Sequence, residues 1–440
     1  MLKQYANTGV VAIFMSDIST IKKKFKSSVR RGTGESYIIL KAYPKIDFSK
    51  DIIDTSIKNY AFDIQVEGNR AMYAYRLIKL SNQKEKIIGY ILKKLRGQKK
   101  DWYSLDQMCE LTKLIAKEGN NEARAALYER FENNLKNGFD FCGQNSIIEL
   151  DGIDGLKKVA EVVGKVLHKN PTDSEDSYKV DSFQKKNKKI RVYDELEKAA
   201  KTNKYIAIYL KSIKQNKWSQ DKKFKRKKWD YNLVKENIDL NKMRTFSSIA
   251  ANELSQKDII KLANDFKEES KNERIKQYLR VFEYVKYPFD YKDIFNIALT
   301  KRQSKKALIP DAVSALKGFS KKNIRDFAIK ELKRTKSPDK YLSLLVGNYK
   351  KGDYKLLNSI IDKSADYDYI HSIVFGLVDI FETNRTKECK EPLERIYDKL
   401  NCGLHRHTLV DILDENQVLS DKIRQELKFD SYEPIRKKYK

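Results

Sequence analysis

Pro310-Asp-Ala-Val-Ser-Ala-Leu-Lys-Gly-Phe319, continued by Ser320-Lys-Lys-Asn-Ile-Arg-Asp-Phe-Ala-Ile-Lys-Glu-Leu332, is the stretch that decides the fold. Ala312, Val313 and Leu316 in the first half recur at three- and four-residue steps, as do Ile324, Ala328 and Leu332 in the second. That spacing lines one face of an α-helix. Pro310 stands near the start of the first helix, where a missing amide costs nothing. Two short amphipathic helices joined by a polar corner cannot bury their stripes alone. They need neighbours of the same kind.

Outward from this pair the rhythm continues. Toward the N-terminus, Ile52, Ile53, Ile57, Tyr60 and Ala61 form one stripe, Ala71, Tyr75, Leu77 and Ile78 a second, and Ile87, Ile88, Ile91, Leu92 and Leu95 a third. Leu105, Met108, Leu111, Ile115 and Ala116 form a fourth, with Ser104 expected as its N-cap. Ala123, Ala126, Leu127, Phe131 and Leu135 complete the set. A Gly- and Asn-containing loop is expected over 139–151, then a helix from Gly155 to His168 capped by Asp154. From Leu233 to the end, stripe follows stripe, with Pro288, Pro310, Pro338 and Pro392 at or near the joints. Ser255-Gln-Lys-Asp258 reads as a capping box. The domain reading is an irregular segment over 1–47, helical repeats over 48–169, a charged linker over 170–189, and further repeats over 190–440.

The pair at 310–332 resembles a HEAT repeat: an apolar first helix with Pro near its start, a polar turn, then Ile324-Arg325-x-x-Ala328-x-x-x-Leu332. Glu122-Ala-Arg124-Ala-Ala-Leu127 and Lys422-Ile-Arg424-Gln-Glu-Leu427 echo its second half. The resemblance implies an all-α, HEAT-like α-solenoid of stacked antiparallel helix pairs, with a concave face for an extended partner. HEAT-like arrays bind proteins most often. One bacterial subgroup, the alkylpurine DNA glycosylases, holds damaged duplex DNA on a basic concave face. Its members carry an Asp and tryptophans that stabilise charge on the departing base and sugar. The charge of the present chain is similar to that subgroup's. Asp101-Trp102 and Trp229-Asp230 are its comparable neighbours, so Asp101 and Asp230 are the catalytic candidates the resemblance implies.

Among the 440 residues, 90 are Lys or Arg and 61 are Asp or Glu, a formal net charge of +29. A field of that size attracts polyanions. The densest cationic stretch, 211–230, carries Lys217, Lys222, Lys223, Lys225, Arg226, Lys227 and Lys228 with Trp218 and Trp229 among them. Lysines neutralise phosphates without reading sequence, and tryptophans stack on exposed bases. The same tryptophans would equally serve to anchor the segment on a neighbouring helix. Lys22, Lys23, Lys24, Lys26, Arg30 and Arg31 form a second patch.

Other chemistry is set aside. Gly and Pro are too sparse for a doubly wound sheet or an immunoglobulin-like sandwich. No Walker loop, Gly-x-Gly-x-x-Gly or Gly-x-Ser-x-Gly occurs. Cys402-Gly-Leu-His405-Arg-His407 lacks zinc-ligand spacing, so neither metal nor cofactor is expected. No apolar run is long enough to span a membrane, and the apolar patch Gly9 to Met15 has the wrong flanks for a signal peptide. Four scattered cysteines suit a reducing, cytoplasmic setting. The expectation is a non-enzymatic array binding nucleic acid, DNA foremost, or another polyanion, in repair or genome defence. The alternatives are a protein-binding scaffold and an alkyl-base DNA glycosylase.

Overall fold

The computed structural model describes residues 6–97, 101–133, 142–217 and 227–439, with side chains from Asp17 onward. Among these residues every regular element is a helix. None is long and apolar enough to cross a membrane. Cys109, Cys142, Cys389 and Cys402 are all buried. The chain divides into two compact units, one of residues 1–223, 401–403 and 421–440, the other of 224–400 and 404–420.

The first unit opens with α1 (Ala6–Arg31) and α2 (Glu35–Ala42), then α3 (Ser49–Ile57), α4 (Ile64–Glu67), α5 (Ala71–Leu80), α6 (Lys84–Gly97), α7 (Trp102–Ala116) and α8 (Asn121–Asn133). It goes on through α9 (Gln144–Lys169), α10 (Tyr178–Lys186), α11 (Val192–Ala200) and α12 (Lys204–Gln215). The expected stripes over 48–133 fall on α3 and α5 to α8, except that Tyr60 and Ala61 lie past the end of α3, and Leu135 lies outside the described residues. Ile52, Leu77, Ile87, Leu92, Leu105, Met108, Ala126 and Leu127 are sealed from solvent.

Four expectations are corrected here. The first 47 residues are helical over most of their described length, because Phe25 and Val29 give α1 a buried stripe. The Gly32-Thr-Gly34 break is only the corner between α1 and α2. The cap of α7 is Asp101, whose carboxylate accepts the Ser104 amide at 2.8 Å; the Ser104 hydroxyl instead accepts the Asn59 amide at 3.1 Å. Helix already begins at Gln144, and Asp154 lies inside α9, which breaks at Gly152 (φ +60, ψ −127). A Cβ at Gly155 would lie 2.5 Å from the Ile147 carbonyl oxygen, so this glycine serves a tight kink rather than a loop. Finally, 170–189 is not merely a linker: it holds α10, with Val180 and Phe183 buried.

The second unit runs through α13 (Tyr231–Asp239), α14 (Ser248–Ala251), α15 (Gln256–Glu268), α16 (Asn272–Tyr284), α17 (Lys292–Ala298), α18 (Ile309–Ala315) and α19 (Lys322–Arg334). Then come α20 (Asp339–Leu342), α21 (Tyr354–Ile361), α22 (Tyr367–Thr383), α23 (Lys390–Tyr397) and α24 (Gly403–Glu415). The capping box forms as read: Ser255 Oγ accepts the Asp258 amide at 3.2 Å, and Asp258 accepts the Ser255 amide at 3.1 Å. In α19, Ile324, Ala328 and Leu332 are sealed in the core. Arg325 forks onto both Asp353 oxygens at 2.6 and 2.7 Å. The last helices, α25 (Asp421–Leu427) and α26 (Glu433–Lys438), belong to the first unit, where α25 packs on α2.

Candidate nucleic-acid interface

The basic segment divides between the units. On α12, Ile206, Tyr209, Leu210 and Ile213 face the core, leaving Lys211 and Lys214 exposed. Lys214 is spent on Glu197 at 2.6 Å. Lys217 is exposed beyond the helix. Trp218, Lys222, Lys223, Lys225 and Arg226 lie outside the described residues.

In the second unit Lys227 and Lys228 are exposed. Trp229 is half-buried: its ring stands edge-on to Phe246 at 5.3 Å, and its amide donates to Glu253 at 2.7 Å. Both contacts tie Trp229 to the residues that flank α14. Asp230 caps α13 by accepting the Leu233 amide at 2.8 Å. Asp101 and Asp230 therefore both spend a carboxylate oxygen on a helix N-terminus. Beside Asp101, Trp102 is 56% exposed and meets Tyr103 edge-on at 5.7 Å.

Half of the N-terminal patch is paired internally. Arg30 pairs with Asp54 at 2.8 Å, and Lys24 and Arg31 both reach Glu35. Asp54 is pulled upward by burial, yet the hydrogen bonds from Arg30 and Tyr60 hold it below its ordinary value. Lys22, Lys23 and Lys26 remain exposed.

Three surface troughs bring together cations from separate stretches of the chain. In the first unit a trough of about 470 Å³ takes Lys117, Lys179 and Lys186 against one carboxylate, Glu149. In the second unit a trough of about 420 Å³ takes Arg244, Lys276 and Arg280 against Glu273. Another of about 470 Å³ takes Lys267, Arg302 and Lys305 against Glu269 and Asp293. Some of these charges are already committed. Arg280 pairs with Asp311 at 3.1 Å, and Glu269 takes Arg274 at 2.5 Å. Asn241 adopts a left-handed backbone (φ 57) at the second trough's edge, and its side chain accepts from Gln277. Asn tolerates that region better than most residues.

No family model matches the chain, and neither does any curated protein or solved structure.

Proposed function

We propose that this protein is a non-enzymatic nucleic-acid-binding array of HEAT-like helix pairs acting in the cytoplasm, with DNA as the foremost ligand. The array reading draws support from the second unit, where α16 packs on α18, α18 on α20, α20 on α22 and α21 on α23. Polar pairs recur there at similar offsets: Arg274 with Asp239, Arg280 with Asp311, Arg325 with Asp353 and Arg395 with Asp362, separated by 35, 31, 28 and 33 residues. Stacked hairpins of that length produce such an offset.

The binding reading is carried by one observation. In each of the three troughs cations outnumber carboxylates, on a chain of net charge +29. Exposed Lys217, Lys227 and Lys228 add to that field. Phosphate neutralisation releases counterions, so affinity must fall with salt. Labelled duplex and single-stranded oligonucleotides, titrated at about 50 and 200 mM salt, test the reading. A loss of at least ~10-fold between the two conditions is expected. No binding at about 50 mM overturns it.

A scaffold reading has one observation in its favour: Leu240, Ile249 and Phe375 in the second unit are each more than half exposed. A defined protein partner retained at high salt after nuclease treatment would place that reading first.

A further inference from the structure

The trough in the first unit is built from two helix faces and one helix end. Along α9, Asn145, Ile148, Glu149 and Gly152 fall at three- and four-residue steps on one face. Along α10, Tyr178, Lys179, Ser182, Phe183 and Lys186 form the facing stripe. Lys117, at the C-cap of α7, closes the third side. Ile148 and Phe183 are buried and give the trough an apolar floor. Lys179 and Lys186 stand seven residues apart, roughly 10 Å along the helix axis. The break at Gly152 also lines the trough, and a Cβ there would meet nothing within 4 Å.

The charges do not cancel locally. Glu149, the trough's carboxylate, accepts Lys113 at 2.5 Å, and Lys113 is buried between Glu149 and Glu110. Burial alone would raise the Glu149 carboxyl; Lys113, with Lys117 and Lys186 further off, brings it below its ordinary value. Among the described residues Lys117, Lys179 and Lys186 make no ion pair of their own. At the trough's edge Tyr178 is 49% exposed. The side chains of Asn145, Ser182 and Asn187 supply further hydrogen-bonding groups.

We propose that this trough binds a short run of single-stranded nucleic acid, its phosphates on Lys117, Lys179 and Lys186 and one base on the Tyr178 ring. The proposal rests on the nucleic-acid reading above and assigns it a place. An open trough admits a continuous strand, whereas a closed pocket would take only an end. Point-charge lysines around an apolar floor suit phosphates and a base plane, and neither feature requires a particular base.

The test uses the full chain, a labelled oligothymidylate and a duplex of equal length. The triple variant K117E/K179E/K186E is compared with K185E/K188E/K189E, which reverses three exposed lysines outside the trough. The trough triple is expected to weaken oligothymidylate binding at least ~10-fold and to flatten its salt slope by about 2, from three phosphate contacts at about 0.7 each. Tyr178→Ala is expected to cost about 5- to 150-fold on the single strand and to leave duplex binding unchanged. Circular dichroism melts confirm that the variants stay folded. If the trough variants bind like wild type, or the control triple loses as much, the trough is not the site, while the broader reading stands. If the wild type binds neither oligonucleotide, both fall together.

Discussion

Glu426 shows how much one buried carboxyl can report. It is 3% exposed, and its Oε2 meets no hydrogen-bond partner among the described residues. Burial first, then the neighbouring Glu35 carboxylate, pushes its pKa up to about 8; Asp430 adds to the rise and Arg31 opposes it. The unfolded value is about 4.3. Over the window between those values the native state holds the proton and the unfolded chain does not. Stability therefore falls as pH rises from about 4.3 to about 8, and levels off above it. Glu426→Gln removes that dependence. Urea unfolding should find the variant close to wild type at pH 5 and more stable by on the order of a few kcal/mol at pH 8. A difference that does not vary with pH would show that Glu426 does not ionise in this window. The position was invisible in sequence, where Lys422 to Leu427 reads only as a weak echo of the HEAT motif. Gly34, far away in the chain, lets the two backbones approach closely: a Cβ there would stand 1.9 Å from the Glu426 carbonyl oxygen.

At the scale of the helix, local chemistry was the legible part. The Ser255 capping box needs only residues three apart, so it could be read directly, and it formed. The stripes of α3 and α5 to α8 were legible for the same reason: each helix buries a strong apolar face. Legibility failed where burial is thin or the backbone unusual. Helix α10 hides little beyond Val180 and Phe183 beneath a charged exterior, so it resembled a linker. Glycines at 152 and 155 resembled a loop, yet they serve a kink and a close backbone approach. Ser104 reads as a cap in sequence, but the helix starts earlier, at Trp102, where Asp101 caps it by accepting the Ser104 amide. Two substitutions check these caps by thermal or urea unfolding. Ser255→Ala should cost about 1 kcal/mol. Asp101→Ala should cost about as much, while Asp101→Asn, an equally good cap residue, should leave stability nearly unchanged. A large loss in Asp101→Asn would mean that its charge does more than cap α7.

For the whole molecule, the sequence conveyed helix content and charge but not which distant residues share a surface. The cations of the α9–α10 trough come from the end of α7 and from α10, and the lysine run at 185–189 marks only Lys186 among them. The second feature hidden from a linear reading is the C-terminal segment, which joins the first unit rather than extending the series of helices before it. Ser431 donates its amide to the Gly32 carbonyl at 2.7 Å, Phe429 stacks on Tyr37 at 5.2 Å, and Arg70 donates to the Asn401 carbonyl at 2.7 Å. A Cβ at Gly32 would meet Ser431 Oγ at 2.2 Å, which accounts for a glycine at a corner that also takes φ +78. The Gly32-Thr-Gly34 break thus admits a segment about 400 residues away, and each glycine is there for a neighbour no local pattern reveals. Deleting residues 421–440 strips the Phe429 ring from Tyr37, which is buried in the intact protein. Exposing such side chains costs roughly 1.5–3 kcal/mol each for full exposure. Hydrogen exchange on the truncated chain should then show faster exchange across α2 and α5, which pack on one another. Protection in α21 to α23 of the second unit should stay as it was, because local opening follows local contacts. Unchanged protection in α2 would mean that α25 and α26 rest on this unit without stabilising it.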